Sequence, residues 1–215
     1  MRSGTKLMTN APRRRGRPRA YDPERALTQV IECFWKTGYS GTSLDDISAA
    51  TGMNRPSLYA AFGDKQALYL KALRHYWNMG YVAMREALVD VIPLNEALMR
   101  VYEKALAIYF SGSGRPRGCF AIGTATTEAV ENAEIRDSLA KGLHALDKGF
   151  EARIRTAHVN GELKANADPV ALSLLASATL HTIAIRARAG SPRAELRRLA
   201  RNAVDVICGI HASSQ

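Results

Sequence analysis

Arg55, Ser57 and Tyr59 follow Asn54 at alternate positions in the segment from Thr42 to Leu68. A guanidinium can make two parallel hydrogen bonds to the edge of a guanine. Hydroxyls and an ammonium such as that of Lys65 suit phosphate oxygens. These are side chains that grip and read nucleic acid, provided a rigid element presents them. The segment reads as two short helices broken by a glycine turn, then a third helix with its own cap. Thr42 and Asp45 have the three-residue spacing of a capping box. Leu44 and Ile47 recur at helical spacing, and Thr51-Gly52 stops the helix because glycine tolerates left-handed backbone. Asn54 then caps a second helix, with Arg55, Ser57 and Tyr59 on its polar side and Leu58 and Phe62 towards a core. Two short helices so spaced suit a helix-turn-helix, whose second helix enters the major groove. A helical hairpin in an ordinary bundle has the same pattern.

The preceding residues favour the first reading. Residues 1–20 hold Arg2, Lys6, Arg13, Arg14, Arg15, Arg17 and Arg19 and no acidic residue, which places most of the formal net charge of +10 in one arm. Like charges in a block repel and form no core. Arg15-Gly16-Arg17-Pro18-Arg19 is more specific than a charge run, because a flat Arg-Gly-Arg-Pro stretch fits a narrow A·T minor groove of enhanced negative potential. An arm directly before a helix-turn-helix is placed to reach the groove next to the one the helix reads. A solvated tail without a role is the alternative.

Ala26, Phe34, Gly38-Tyr39, the run Thr42 to Ile47, Gly52-Met53, Ser57-Leu58-Tyr59 and the run Phe62 to Leu68, taken in order, resemble the N-terminal domain of the tetracycline-repressor (TetR) family of transcriptional regulators. The resemblance implies a dimeric all-α repressor, with a three-helix DNA-binding domain on a larger helical domain that binds an effector. It also implies phosphate contacts from the positions of Thr42, Tyr59 and Lys65. Arg55-Pro56 departs from the family at the start of the recognition helix, where a small residue and glycine are common. That departure sets a guanidinium at the DNA surface.

Three parts are therefore expected: a basic arm over 1–20, a helix-turn-helix domain over 21–67, and an effector-binding and dimerisation domain over 68–215. A content of 47% apolar residues supports a buried core, and no run approaches the ~18 apolar residues of a membrane span. Cys33, Cys119 and Cys208 are an odd, scattered set that suits a reducing cytoplasm. Asp22-Pro23 opens the first helix. Asp64 caps a long fourth helix, Pro93 starts the next, and residues 111–118 form a loop. Asn160-Gly161 ends a further helical stretch, and Asp168-Pro169 and Ser191-Pro192 open the last two helices.

The expected DNA contacts are Arg13, Arg14, Arg15, Arg17 and Arg19 of the arm, with Thr42, Ser43, Asn54, Arg55, Ser57, Tyr59 and Lys65. Asn54 also serves as a cap. Tyr76, Trp77 and Tyr81 on the fourth helix, Met99 and Tyr102 on the fifth, and Cys119 are expected at an apolar effector cavity between helices. Aromatics at such spacing also build ordinary cores. Leu196, Leu199, Ala203, Val206, Ile207 and Ile210 make an apolar stripe, and Leu174 and Ala178 face it from the preceding helix. These eight are the expected dimer interface, since symmetric pairing doubles a half-site contact. Ile207→Arg is expected to give monomers.

No phosphate loop, Gly-x-Ser-x-Gly elbow, His-Glu-x-x-His or paired-cysteine zinc spacing is present. Neither an enzyme nor a metal or cofactor is therefore expected. The partners expected are operator DNA, a small-molecule effector and a second copy of the chain, not a membrane. Two alternatives stay open. Cys119, behind Arg115 and Arg117, could be an activated thiol that senses oxidants or electrophiles. The protein could also be an architectural DNA binder acting through its arm. Deleting residues 1–19 is expected to weaken DNA binding and flatten its dependence on salt while sparing the preferred core sequence, and titration at several salt concentrations checks it.

Overall fold

The computed structural model describes residues 22–210 apart from Ser113. Among them are nine α-helices and no strand, so the all-α expectation holds. The arm residues Arg13, Arg14, Arg15, Arg17 and Arg19 lie outside the described residues. The helices are α1 (Pro23–Gly41), α2 (Leu44–Thr51), α3 (Arg55–Phe62), α4 (Lys65–Ala87), α5 (Leu94–Tyr109), α6 (Phe120–Glu128), α7 (Ala133–Val159), α8 (Pro169–Arg188) and α9 (Arg193–Cys208).

Most helix starts carry a side-chain cap that satisfies otherwise orphaned N–H groups. Asp22 accepts from Glu24 N at 3.0 Å, Asn54 from Ser57 N at 2.9 Å and Asp64 from Ala67 N at 2.8 Å. One cap differs from expectation. The capping box of α2 joins Ser43 to Asp46, with Asp46 N donating to Ser43 Oγ at 3.1 Å and Ser43 N to Asp46 Oδ2 at 2.8 Å. Thr42 instead closes α1. Gly38, at φ 77°, breaks the helical backbone there, and the Thr42 hydroxyl donates to the Gly38 carbonyl at 2.6 Å. Gly52, at φ 68°, makes the left-handed turn between α2 and α3.

α1 packs on α2, α4 and α6, and α7, α8, α9 and α5 pack on one another. An aromatic cluster binds α1, α4 and α6 within the first group. Phe34 meets Tyr69 edge-on at 5.0 Å, and Tyr69 meets Phe120 at 5.9 Å. The Tyr69 hydroxyl is hydrogen-bonded to Thr124 Oγ1 at 2.6 Å, which satisfies a polar group that burial would otherwise penalise. Helix α8 corrects one sequence expectation: it is 20 residues long with an 18-residue window of mean hydropathy 1.5, enough by length and composition alone to cross a membrane. Its Ala176, Leu180, Ile183, Ala184 and Ala187 are buried against neighbouring helices.

Arg153 on α7 is only 3% exposed and clasps two connections. Its guanidinium donates to the Ile92 carbonyl at 2.7 Å and to Glu162 Oε1 at 3.2 Å. Glu162 Oε2 in turn accepts from Leu94 N, the first residue of α5, at 2.6 Å. Removing one partner of a buried, hydrogen-bonded ion pair costs about 3–5 kcal/mol. Glu162 is partly solvated, which keeps the cost at the lower end. Arg153→Ala is expected to lower the unfolding free energy by about 3 kcal/mol, read from urea denaturation, while Arg153→Lys recovers only part because it lacks the planar fork.

Candidate DNA-reading face and effector cavity

Arg55 is the first residue of α3 and Asp45 lies in the first turn of α2. Their side chains form a two-pronged ion pair, Nε to Oδ1 at 2.8 Å and Nη2 to Oδ2 at 2.6 Å. The hydrogen bonds from Arg55 hold the Asp45 carboxyl below its ordinary range. Both side chains are more than half exposed, so the pair orients more than it stabilises. Asp45 occupies one edge of the guanidinium and leaves the outer Nη1/Nη2 edge free, which is a fork suited to a guanine. Pro56, Ser57, Tyr59 and Ala60 are exposed beside it, and Leu58 and Phe62 are buried beneath. The far end of α3 is held by Lys71 of α4, whose Nζ donates to the Ala61 and Phe62 carbonyls at 3.2 and 3.1 Å.

The residues expected at DNA divide accordingly. Ser43 and Asn54 are exposed and act as caps, and Tyr59 is half exposed. Lys65 places its ammonium 4.6 Å from the centre of the Tyr39 ring. Thr42 is corrected: it is 1% exposed and its hydroxyl is engaged by Gly38 and Thr37, so it has no reach to a phosphate. The kink at Gly38 turned it inward. Lys71 went unnoticed in the sequence because no local spacing marks a lysine that caps a neighbouring helix.

A cavity of about 570 Å³ lies between α1, α4, α5 and the start of α6, closed below by α7 and α8. Tyr76, Trp77, Tyr81 and Cys119 border it as expected. Two expected residues do not. Tyr102 is fully buried, its hydroxyl donating to the Ala176 carbonyl at 3.0 Å and its ring packed near Phe150. Met99 lies in a separate open groove with Arg197 and Arg201 of α9. The reason is helical phase: these two residues leave α5 on sides turned from the cavity, which Val101, Ala105 and Ile108 face.

The α1 wall, Ile31 and Trp35, was missed, because apolar residues of α1 are indistinguishable in sequence from its core stripe. Trp35 is held by Arg117, in the connection before α6. Arg117 lays its guanidinium 3.9 Å from the ring centre, bonds Glu32, and donates to Ser111 Oγ at 2.6 Å. Trp35 Nε1 donates to the Arg117 carbonyl at 3.3 Å. This arrangement also corrects the thiol expectation. Arg117 is engaged with Trp35 and Glu32, whereas Cys119 is 8% exposed and accepts from the Tyr76 hydroxyl at 3.3 Å. Burial pushes its thiol above the ordinary value, which disfavours the reactive thiolate.

On α8 and α9 the expected interface splits in two. Leu196 and Ile207 are buried with Ala200 and Val204 inside the chain, so a charge at Ile207 would disrupt the core rather than an interface. A second stripe faces outward. Leu174 is 52% and Val206 68% exposed; Ala178, Ile185 and Ile210 are exposed too, and Leu199 and Ala203 are partly so.

The model of the tetR family of bacterial regulatory proteins matches residues 27–72, and that of the tetracyclin repressor-like C-terminal domain matches residues 96–203. The chain is 30% identical over 188 residues to the HTH-type transcriptional repressor ComR of Escherichia coli strain K12, covering 86% of this chain and 89% of ComR. It is 33% identical over 118 residues to the repressor BdcR of the same strain, covering 55% and 58%. A solved structure of the TetR family regulator CifR, a cysteine mutant complexed with 26-bp operator DNA, superposes with a TM-score of 0.79 at 32% identity, covering 87% of this chain and 98% of that one. The helix-turn-helix, the helices behind it and these likenesses agree: the chain belongs to the tetR family of bacterial transcriptional regulators.

Proposed function

We propose that the protein is a repressor that binds a palindromic operator as a homodimer in the cytoplasm and is released by a small-molecule effector. The observation that carries the reading is the position of α1. Its Phe34 meets Tyr69 of α4 in the hydrophobic core that also holds Ile47 of α2 and Leu58 of α3, and its neighbour Trp35 walls the cavity. A ligand entering the cavity therefore meets the helix on which the reading unit is built. Residues 21–67 would read DNA and residues 68–215 would dimerise and receive the effector, with the arm of residues 1–20 adding phosphate and minor-groove contacts.

The likeness to a regulator whose structure is solved in complex with operator DNA supports the DNA half of this reading. Arg55, Ser57 and Tyr59 are its proposed contacts from α3, with Ser43 and Lys65 on phosphates. The outward stripe of α8 and α9 supports the dimer half, because contiguous exposed apolar surface marks association. Leu174, Ala178, Ile185, Leu199, Ala203, Val206 and Ile210 are the proposed interface. Selection of bound DNA from a random pool tests the whole reading, and recovery of an inverted repeat is the expected result.

Two outcomes follow for variants. Arg55→Ala is expected to relax selection at one base pair per half-site and to cost about 1–3 kcal/mol, measured by titrating single-base operator variants. Val206→Arg sets a charge on the outward stripe without touching the core. It is expected to give folded monomers by sedimentation, with operator binding weakened at least tenfold, roughly the loss of a hot-spot contact.

A further inference from the structure

The cavity has a chemistry that selects among ligands, and the inference from it rests on the reading of the cavity as the effector site. Its walls are apolar with a marked aromatic share: both tryptophans of the chain, Trp35 and Trp77, border it, with Tyr76, Tyr81 and Tyr109. Trp77 and Tyr81 are stacked at 12° with centres 6.0 Å apart. Trp77 is fixed in place because its ring lies against Gly142, where a Cβ would fall 2.1 Å from Cε2. Flat walls of this kind favour a flat, polarisable guest.

The charged groups at the cavity are committed elsewhere. Among the described lining residues these are Glu32, Lys104 and Arg117. Glu32 and Arg117 pair with each other, and Lys104 bonds Glu86 at 2.8 Å. A charged ligand would lose its hydration and find no free counter-ion, which is costly.

Among the described lining residues three carry a buried side-chain nitrogen without a partner: Trp77 Nε1, which is packed against Gly142, Arg117 Nε, on a guanidinium already paired with Glu32, and Nε2 of His181. His181 of α8 borders the cavity, and its buried Nε2 has no protein partner. Burial lowers its pKa, keeping the ring neutral, despite the opposing influence of Asp147. A neutral imidazole nitrogen is a donor in one tautomer and an acceptor in the other. A hydroxyl can answer either.

We infer that the cavity takes an uncharged aromatic compound carrying a hydroxyl group, with the ring against Trp77 and Tyr81 and the hydroxyl bonded to His181. The imidazole is a recognition element, and the aromatic walls supply the bulk of the affinity.

Calorimetric titration of the full-length protein with 2-naphthol, 2-methylnaphthalene and 2-naphthoate tests this. The first two share shape and differ in the hydroxyl, and the third carries a charge. The expected order is 2-naphthol tightest, 2-methylnaphthalene about tenfold weaker, as a neutral hydrogen bond to a buried group would give, and 2-naphthoate weakest. His181→Leu is expected to erase the preference for 2-naphthol while keeping 2-methylnaphthalene binding, and His181→Gln, which retains a donor and an acceptor, to restore part of it. Equal affinities for the first two in the wild type, tightest binding of 2-naphthoate, a preference that survives His181→Leu, or no heat from any of the three up to solubility would each overturn the inference. Operator affinity measured in parallel separates the readings: 2-naphthol bound through His181 without weakening operator binding overturns release by cavity ligands and leaves the ligand class standing.

Discussion

Successive residues on a helix project about 100° apart, and in α1 that angle sends neighbours to different places. Phe34 enters the core shared with α2, α3 and α4, and Trp35 turns to the cavity and the loop before α6. The two rings sit on one rigid backbone, so neither can shift without moving the other's surroundings. The recognition helix rests on that same core through Leu58 and Phe62. The link between the cavity and the recognition helix is thus a property of one helix, with no need for a long relay.

The clamp on Trp35 has a suitable strength for such a link. The guanidinium over its ring contributes about 0.5–2 kcal/mol, and its indole hydrogen bond about 0.5–1.5 kcal/mol. The Arg117–Glu32 pair, with Glu32 half exposed, adds less than about 1 kcal/mol. The total is a few kcal/mol, in the range of measured coupling free energies between sites. A micromolar ligand brings about 8 kcal/mol, so even a fraction of its binding energy distributed unequally between two states could reset the clamp. The Arg153–Glu162 clasp, by contrast, lies away from the cavity.

The reading helix is eight residues long, too short to be stable by itself. Its order comes from both ends. Asn54 satisfies the first turn, Lys71 takes the last carbonyls, and Asp45 fixes the direction of Arg55. An arginine held on one edge by a carboxylate loses less rotamer freedom when it meets DNA. Asp45 is therefore a positioning residue for the proposed contact, and its acidity so close to a phosphate surface is compensated by the charge it carries against Arg55.

Local chemistry was legible without coordinates. Asp22, Asn54, Asp64 and Asp168 announce helix starts, Gly52 announces the turn, and the runs through residues 42–68 announce the reading unit, because caps and left-handed turns depend on a few neighbours in sequence. The cavity was half legible: Tyr76, Trp77 and Tyr81 follow from the phase of one long helix. What crossed between elements was not. Thr42 turned inward because Gly38 breaks α1 ahead of it, Tyr102 and Met99 left the cavity through the rotation of α5, and α9 carries two apolar stripes of which only packing against the chain's own helices consumes Leu196 and Ile207. Periodicity says that a residue is apolar and on a face. Which neighbour covers that face is decided by the three-dimensional arrangement of helices far apart in sequence, and so only the tertiary structure could separate core from cavity, and cavity from outward-facing surface.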